Sequence, residues 1–330
     1  MISHALIMKK ILIYSCAIIV VLACNSPKSL TSDQQEFHLI DVKTPKETRE
    51  FFRYSSDRIP MVSAHRGGAA KGYPENCIAT FENTLRHTHA ILEIDPHYTR
   101  DSAIVVMHDY TLERTSSGTG KIIDYTLQEL LQLKLKDIEG KLTEYSMPQL
   151  GEVLEWAKGK TILVIDAKDV PALERARIIT RHKAEANAVL IVYSEEEAKA
   201  VFEYNPDILM ELMVATPGKV KVWDSSGIPW QNIIAFVTHT EAKDPEVYKQ
   251  VHARGAMTIT GSSRTIDRQV LSGQLRDSAE QFHLYRQLIS QGTDIIEADL
   301  AIDAGRALQP LFNPGSSKAI YFKFPGGVAQ

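Results

Sequence analysis

The 330-residue sequence predicts an α/β fold, a closed (β/α)8 TIM barrel with a small insertion after the second strand. Three observations predict it. After residue 60, eight short apolar segments rich in Val, Ile and Leu alternate with helical stretches. Runs of that kind are buried on both faces, as strands of a parallel sheet are. Their connections are short with one exception, and several strands end on His, Asp or Glu, which is how a barrel equips its mouth.

The N-terminus lies outside this pattern. Met8-Lys9-Lys10 precedes an apolar run over 11–23. A membrane span needs ~20 apolar residues, so the run reads as a secretory signal. It closes on Val21-Leu22-Ala23-Cys24, which resembles a bacterial lipobox, with Cys24 as the lipidated residue. A plain signal peptide or an anchor helix is the alternative. The expected division is a lipoprotein signal peptide over 1–24, a polar tether over 25–50 and a barrel domain over 51–330. The expected location is the bacterial cell envelope, reached through the lipid anchor.

The predicted strands are 61–66, 90–95, 161–167, 188–194, 208–214, 233–238, 256–260 and 294–299. Helices are predicted over 77–88, 171–185, 195–204, 244–254 and 277–291. The long link, about 96–160, holds a hairpin (97–110), a Gly-rich stretch (118–120) and helical segments near 126–134 and 149–158. A link this long is usually functional. The Pro- and Gly-rich segment 310–330 reads as an extended tail packed across the barrel.

Composition narrows the chemistry. A net charge of −4 gives no basic face for nucleic acid. There is no GxGxxG, so a dinucleotide cofactor is not expected. Cys16 lies in the signal and Cys24 at its end, which leaves Cys77 alone in an exported chain. It reads as a small buried side chain at the start of the first helix.

Candidate chemistry concentrates in residues 61–115. Glu93 and Asp95 are two residues apart on a strand and therefore share a face. Two carboxylates inside a barrel repel, and a hard divalent cation, Ca2+ or Mg2+, relieves them. His65 and His108 are the acid–base candidates, because imidazole titrates near neutrality. Arg66 can fork onto phosphoryl oxygens. Glu75 reads as a ligand- or water-orienting group at the mouth or as a support for the groups that do so, and Asn76 as a helix cap. Together these groups suit metal-assisted cleavage of a phosphodiester, which needs charge neutralisation, an activated oxygen and a protonated leaving group. His87, His89, His182 and His252 read as structural. Asp299 reads as a rim residue of structural or substrate-binding use.

The ordered set His65-Arg66-Gly67, Pro74-Glu75-Asn76, Glu93-Ile94-Asp95, Thr99-Arg100-Asp101-Ser102 and His108-Asp109 resembles the glycerophosphodiester phosphodiesterase family. That resemblance implies a barrel whose insertion carries the second His. It implies hydrolysis of glycerophosphodiesters to glycerol 3-phosphate and an alcohol. It also implies a third metal ligand at Asp166, where the family usually has Glu. Lys168 shares the orientation of Asp166 and reads as a phosphate-binding group, an ion-pair partner of the neighbouring carboxylates, or both. Ser102 stands where the family usually has Gly, and Cys77 where it has Thr or Ser. Two other readings stay open. One is phospholipase D-like cleavage of lysophospholipids or other phosphodiesters, since Asp166 also occurs in that branch. The other is a lipid-anchored binding protein without turnover.

Overall fold

The structure, a computed structural model, describes residues 36–327. The chain begins there with β1 (Leu39–Ile40) and α1 (Pro45–Phe52). The barrel strands and their helices follow: β2 (Met61–Ala64), α2 (Ile78–His87) and β3 (Ala90–Ile94). Then come the insertion elements β4 (Pro96–Tyr98), β5 (Ile104–Val106) and α3 (Leu127–Leu130). Alternation resumes with α4 (Leu150–Ala157), β6 (Leu163–Ile165), α5 (Ala172–Arg181), β7 (Ala188–Val192), α6 (Glu195–Tyr204) and β8 (Leu209–Met213). It continues through α7 (Pro217–Asp224), β9 (Ile233–Thr238), α8 (Glu246–His252) and β10 (Thr258–Gly261). The last elements are α9 (Ile266–Leu271), α10 (Ser278–Gln291), β11 (Ile295–Ala298), α11 (Ala301–Leu308) and β12 (Phe322–Lys323).

β2, β3, β6, β7, β8, β9, β10 and β11 close a parallel barrel in that order, and β11 pairs back onto β2. All eight predicted barrel strands form. The five predicted helices form too, and α1, α7, α9 and α11 are further helices beyond those predicted.

The barrel interior is layered by strand parity. Ile91, Val164, Val189, Leu209, Ile234, Ile259 and Ile295 fill its lower part in one apolar cluster. The residue two further on points to the same interior, and on several strands it is charged: Glu93, Asp166, Glu211 and Glu297. The outer faces of the strands pack against the helices in the larger core.

The tether expected over 25–50 is corrected by the structure from residue 36 onward. Thr44 caps α1 with a reciprocal Thr44–Glu47 box, and Pro45 opens the helix. Phe51 and Phe52 then turn inward and join Ile40, Val42, Tyr321 and Phe322 beneath the barrel. β1 pairs antiparallel with β12, so the two ends of the described chain close the lower end together. The C-terminal tail does pack across the barrel. The signal peptide, Cys24 and residues 25–35 lie outside the described residues.

The insertion has a core of its own, made by Cys77, Val105, Met107, Leu112, Ile122, Leu130, Leu135 and Met147. Its extent is shorter than the expected 96–160. Leu150, Val153, Leu154 and Ala157 of α4 are buried in the main core, so α4 is a barrel helix. Cys77 is buried as expected, and burial pushes its thiol pKa up.

Candidate active site

The ends of successive strands meet at one mouth. His65 follows β2 in a tight turn where Arg66 has φ 53° and Gly67 φ 83°. A Cβ on Gly67 would lie 2.3 Å from the Phe81 ring, so the turn admits only glycine there. Thr84 Oγ1 donates to the Gly67 carbonyl at 2.7 Å and ties the turn to α2. The twisted backbone aims the Arg66 N–H at Glu93 Oε2, 2.7 Å away.

Glu93, Asp95 and Asp166 each bring one oxygen within 4.8 Å of the others. Neighbours hold them in that pose. Asn76 Nδ2 donates to Asp95 Oδ2 at 2.7 Å, and the Asp95 N–H donates to Asn76 Oδ1 at 3.1 Å. Asn76 is buried with φ 57°, so the helix-cap reading is corrected: it orients Asp95, and α2 is capped by the Cys77 backbone without a side-chain bond. Tyr193 Oη donates to Asp166 Oδ1 at 2.5 Å. Lys168 Nζ lies 2.9 Å from Asp95 and 2.8 Å from Asp166. Burial, then the charges of Asp95, Asp166 and Glu297, pushes the Glu93 carboxyl pKa well up. Asp166 is also penalised by burial, but Lys168 and Tyr193 bring it below the ordinary carboxylate value. Three convergent hard oxygen donors with oriented outer partners fit a divalent cation of the Mg2+ or Ca2+ type.

The two histidines occupy matched settings. His65 Nδ1 is 2.5 Å from Asp299 Oδ1, and His108 Nδ1 is 2.7 Å from Asp109 Oδ1. A carboxylate at Nδ1 fixes the Nδ1–H tautomer and leaves Nε2 as the working nitrogen. Their titration differs. Burial lowers His65, but the Asp299 bond and the charge of Glu297 outweigh it, and the pKa is raised. At His108 burial outweighs the Asp109 bond, and the pKa is lowered. Two imidazoles pushed apart in this way can serve as an acid and a base.

Glu75 does not face the mouth as a free carboxylate. Arg66 Nη1 lies 3.3 Å from both its oxygens, and Arg114 donates to them at 2.6 and 2.8 Å. It clamps two arginines, which agrees with its supporting role, the second of its two readings. Arg114 also grips Asp109 at 2.5 and 2.8 Å, so its bonds to Glu75 tie the partner of His108 in the insertion to the barrel. Arg66 Nε is buried with no partner among the described residues.

Asp299 is more than a rim residue, since it holds His65. Its own N–H donates to Asp267 Oδ2 at 2.7 Å, and Tyr285 and Ser262 also donate to Asp267. His97 is fully buried, and its Nε2 approaches the His108 carbonyl at 3.1 Å. Sequence reasoning missed Arg114, Tyr193, Glu211 and His239 and gave Glu297 no role. Tyr193, Glu211, His239 and Glu297 line the same cavity as His65, Glu93 and Asp166. Glu211 and Glu297 had a readable signal, a lone carboxylate inside an apolar strand at the parity of its inward residues. Arg114 had none, because its partner Glu75 is distant in sequence.

Comparison with known proteins agrees with this geometry. The profile described as the glycerophosphoryl diester phosphodiesterase family matches residues 65–259. A glycerophosphodiester phosphodiesterase of Caldanaerobacter subterraneus subsp. tengcongensis is 31% identical over 171 residues, 49% of this chain and 70% of that protein. The crystal structure of a glycerophosphoryl diester phosphodiesterase from Parabacteroides distasonis is 41% identical, covers 87% of this chain and 99% of its own, and superposes with a TM-score of 0.82. An Oleispira antarctica phosphodiesterase, solved with the product sn-glycerol-3-phosphate, is 18% identical, covers 76% of this chain and 97% of its own, and shares the fold with a TM-score of 0.55. With more than half its length matched by the profile and a barrel whose mouth carries the family's motifs, the chain belongs to the glycerophosphoryl diester phosphodiesterase family of phosphoric diester hydrolases.

Proposed function

We propose that this protein is a metal-dependent hydrolase that releases glycerol 3-phosphate and an alcohol from glycerophosphodiesters. The observation that carries the reading is the convergence of Glu93, Asp95 and Asp166 between two His–Asp pairs of opposite titration. Those three carboxylates would hold the cation, Ca2+ or Mg2+, which when bound neutralises phosphoryl charge. Arg66 and Lys168 bind the phosphoryl oxygens beside it. His108, neutral through its lowered pKa, accepts a proton at Nε2 from the attacking hydroxyl, either water or the neighbouring hydroxyl of the substrate glycerol; in the second case a cyclic phosphate forms as the alcohol leaves, and water then opens it to glycerol 3-phosphate. His65, held protonated by Asp299, donates from Nε2 to the departing alkoxide. The insertion brings His108 and Arg114 over the mouth, and the Arg114–Glu75–Arg66 chain keeps the two halves of the site in register. The Oleispira protein carries sn-glycerol-3-phosphate, the product expected here.

The test is release of glycerol 3-phosphate from a panel of glycerophosphodiesters, each with Ca2+, Mg2+ or chelator. Metal-dependent release is expected. No release from any diester with metal verified would overturn the reading, and turnover of lysophospholipids in its place would move the assignment to the phospholipase D-like class. We also propose that the chain acts at the bacterial envelope, held by a lipid on Cys24. Replacement of Cys24 by Ser is expected to release it from the membrane fraction, and unchanged membrane association would remove the anchor.

A further inference from the structure

Just past the β4–β5 hairpin, the chain that carries His108 loses its backbone support. Met107 donates its N–H to the Asp95 carbonyl at 2.8 Å, but the Asp95 N–H is already committed to Asn76 Oδ1, and the ladder stops there. The next backbone bond is at Tyr110, whose carbonyl accepts from Ile122 at 3.1 Å. Between the two, the backbone groups of His108 and Asp109 have one hydrogen bond among the described residues: His97 Nε2 donates to the His108 carbonyl at 3.1 Å. The Asp109 and Arg114 contacts orient the His108 ring through its Nδ1 and leave that backbone untouched.

His97 is itself firmly placed. It pairs with Val105 in the hairpin, is fully buried, and lies under the Tyr110 ring with 4.6 Å between ring centres. A carbonyl oxygen only accepts, so the contact to His108 puts the His97 proton on Nε2. Nδ1 lies 3.2 Å from Asp169 Oδ1 without a hydrogen bond, and Asp169 Oδ1 accepts from the Tyr98 N–H at 3.1 Å. Asp169 belongs to the loop after β6 that carries Asp166 and Lys168. The imidazole of His97 is thus wedged between the loop of a proposed cation ligand and the backbone of the proposed base. An apolar side chain of the same size would fill the space equally well. Packing alone does not account for a donor aimed at the one carbonyl that has no other partner.

We propose that His97 is a positioning residue whose Nε2–H pins the His108 peptide and so sets where the His108 imidazole meets the attacking hydroxyl. This deepens the phosphodiesterase reading and rests on it. A general base works only within hydrogen-bond reach of the proton it takes, about 2.6–3.2 Å between heavy atoms. A displacement of about 1 Å can cost about 10²-fold in rate. Being fully buried, His97 acts through His108 and not on the diester. Its loss therefore falls on the proton transfer and spares binding.

The experiment compares His97→Gln with His97→Asn in the full chain, with metal present, on the diester that the native protein turns over fastest. The Gln amide reaches as far as Nε2 and keeps the donor; the Asn amide stops at the level of Nδ1 and loses it. His97→Asn is expected to lower kcat by about 10–100-fold with KM within about twofold of native. His97→Gln is expected to keep kcat within about threefold of native. Should His97→Asn fail to fold, His97→Leu, which fills the site without a donor, takes its place. Equal kcat in the two variants, losses that merely follow Tm, or a change confined to KM overturns the role and leaves the phosphodiesterase reading intact. The second readout is the spectrum of 15N-histidine-labelled protein. The His108 ring signals are expected to stay in place in His97→Gln and to shift or double in His97→Asn, and signals unmoved in both overturn the role. If the native protein hydrolyses no diester, the phosphodiesterase reading fails, and the ring signals alone decide whether His97 positions His108.

Discussion

The two ends of the barrel are built on opposite terms. At the mouth, charged groups are buried and the backbone is bent to aim them: Arg66, Asn76 and Lys168 have φ of 53°, 57° and 27°. At the base, Phe51 packs edge-on against Phe52 and Tyr321 at 5.0 and 5.6 Å, and lies 5.7 Å from Phe322. Left-handed φ at a non-glycine residue costs energy that the surroundings must supply. The aromatic base and the apolar layers above it are where this fold gains stability, and the mouth is where it is used.

That contrast is broken most severely by removing a histidine. His65→Ala or His108→Ala is expected to lower kcat by ~10²–10⁴, the usual contribution of a positioned acid or base. The melting temperature should hardly move, because both side chains sit at the mouth. A variant with near-native kcat would take its histidine out of the mechanism. The converse change is Phe51→Ala. A fully buried Phe lost from a packed cluster costs about 3–5 kcal/mol, which lowers Tm by about 4–7 °C in a chain of this size. Its turnover at low temperature should stay native. Loss of turnover before melting would mean that the base and the mouth are coupled.

The same contrast explains what could be read in the sequence. The mouth was legible because its residue types are chemically rare beside apolar strands, so His65, Glu93, Asp95 and His108 could be named from the residues, and Asp166 through the family resemblance. The partners that orient them were harder. Asn76 and Asp299 bond to residues distant in sequence, and nothing local distinguishes a helix cap from a carboxylate holder. The base was nearly illegible. Residues 39–52 carry a capping box and two Phe, yet they form one short helix with a two-residue strand before it, and their apolar partners, Tyr321 and Phe322, lie at the other end of the chain.

Asp166→Asn sharpens the account of the mouth. The amide keeps the volume and loses the charge, so metal affinity is expected to fall by about 10–100-fold or more, with activity partly restored by excess metal. An unmoved metal titration would leave Glu93 and Asp95 as the ligands. Asp299→Asn addresses titration. His108 must be neutral to act, and its lowered pKa puts the acid limb of the rate profile below ordinary histidine. His65 must be protonated, and its raised pKa puts the alkaline limb above it. Without the Asp299 carboxylate, the His65 pKa falls, so the alkaline limb should move to lower pH while the acid limb stays. An unshifted alkaline limb would assign that limb to another group.

The smallest effect concerns the hairpin of the insertion, at the mouth. Ser102 closes the β4–β5 turn with φ 63°, in the left-handed region. Its N–H donates to the Thr99 carbonyl at 3.0 Å, and Thr99 Oγ1 donates to Asp101 at 2.6 Å, so the turn keeps this shape whatever side chain stands at 102. An L-residue there pays roughly 1–2 kcal/mol that glycine avoids. Glycine in turn loses about 0.5–1 kcal/mol more entropy on folding. The balance favours Ser102→Gly by about 0.5 kcal/mol, a rise in Tm of about 1–2 °C. The side chain is exposed and makes none of the contacts that hold His108, so kcat should not change. A fall in kcat with the same Tm would show instead that the turn's geometry sets the position of the insertion histidine.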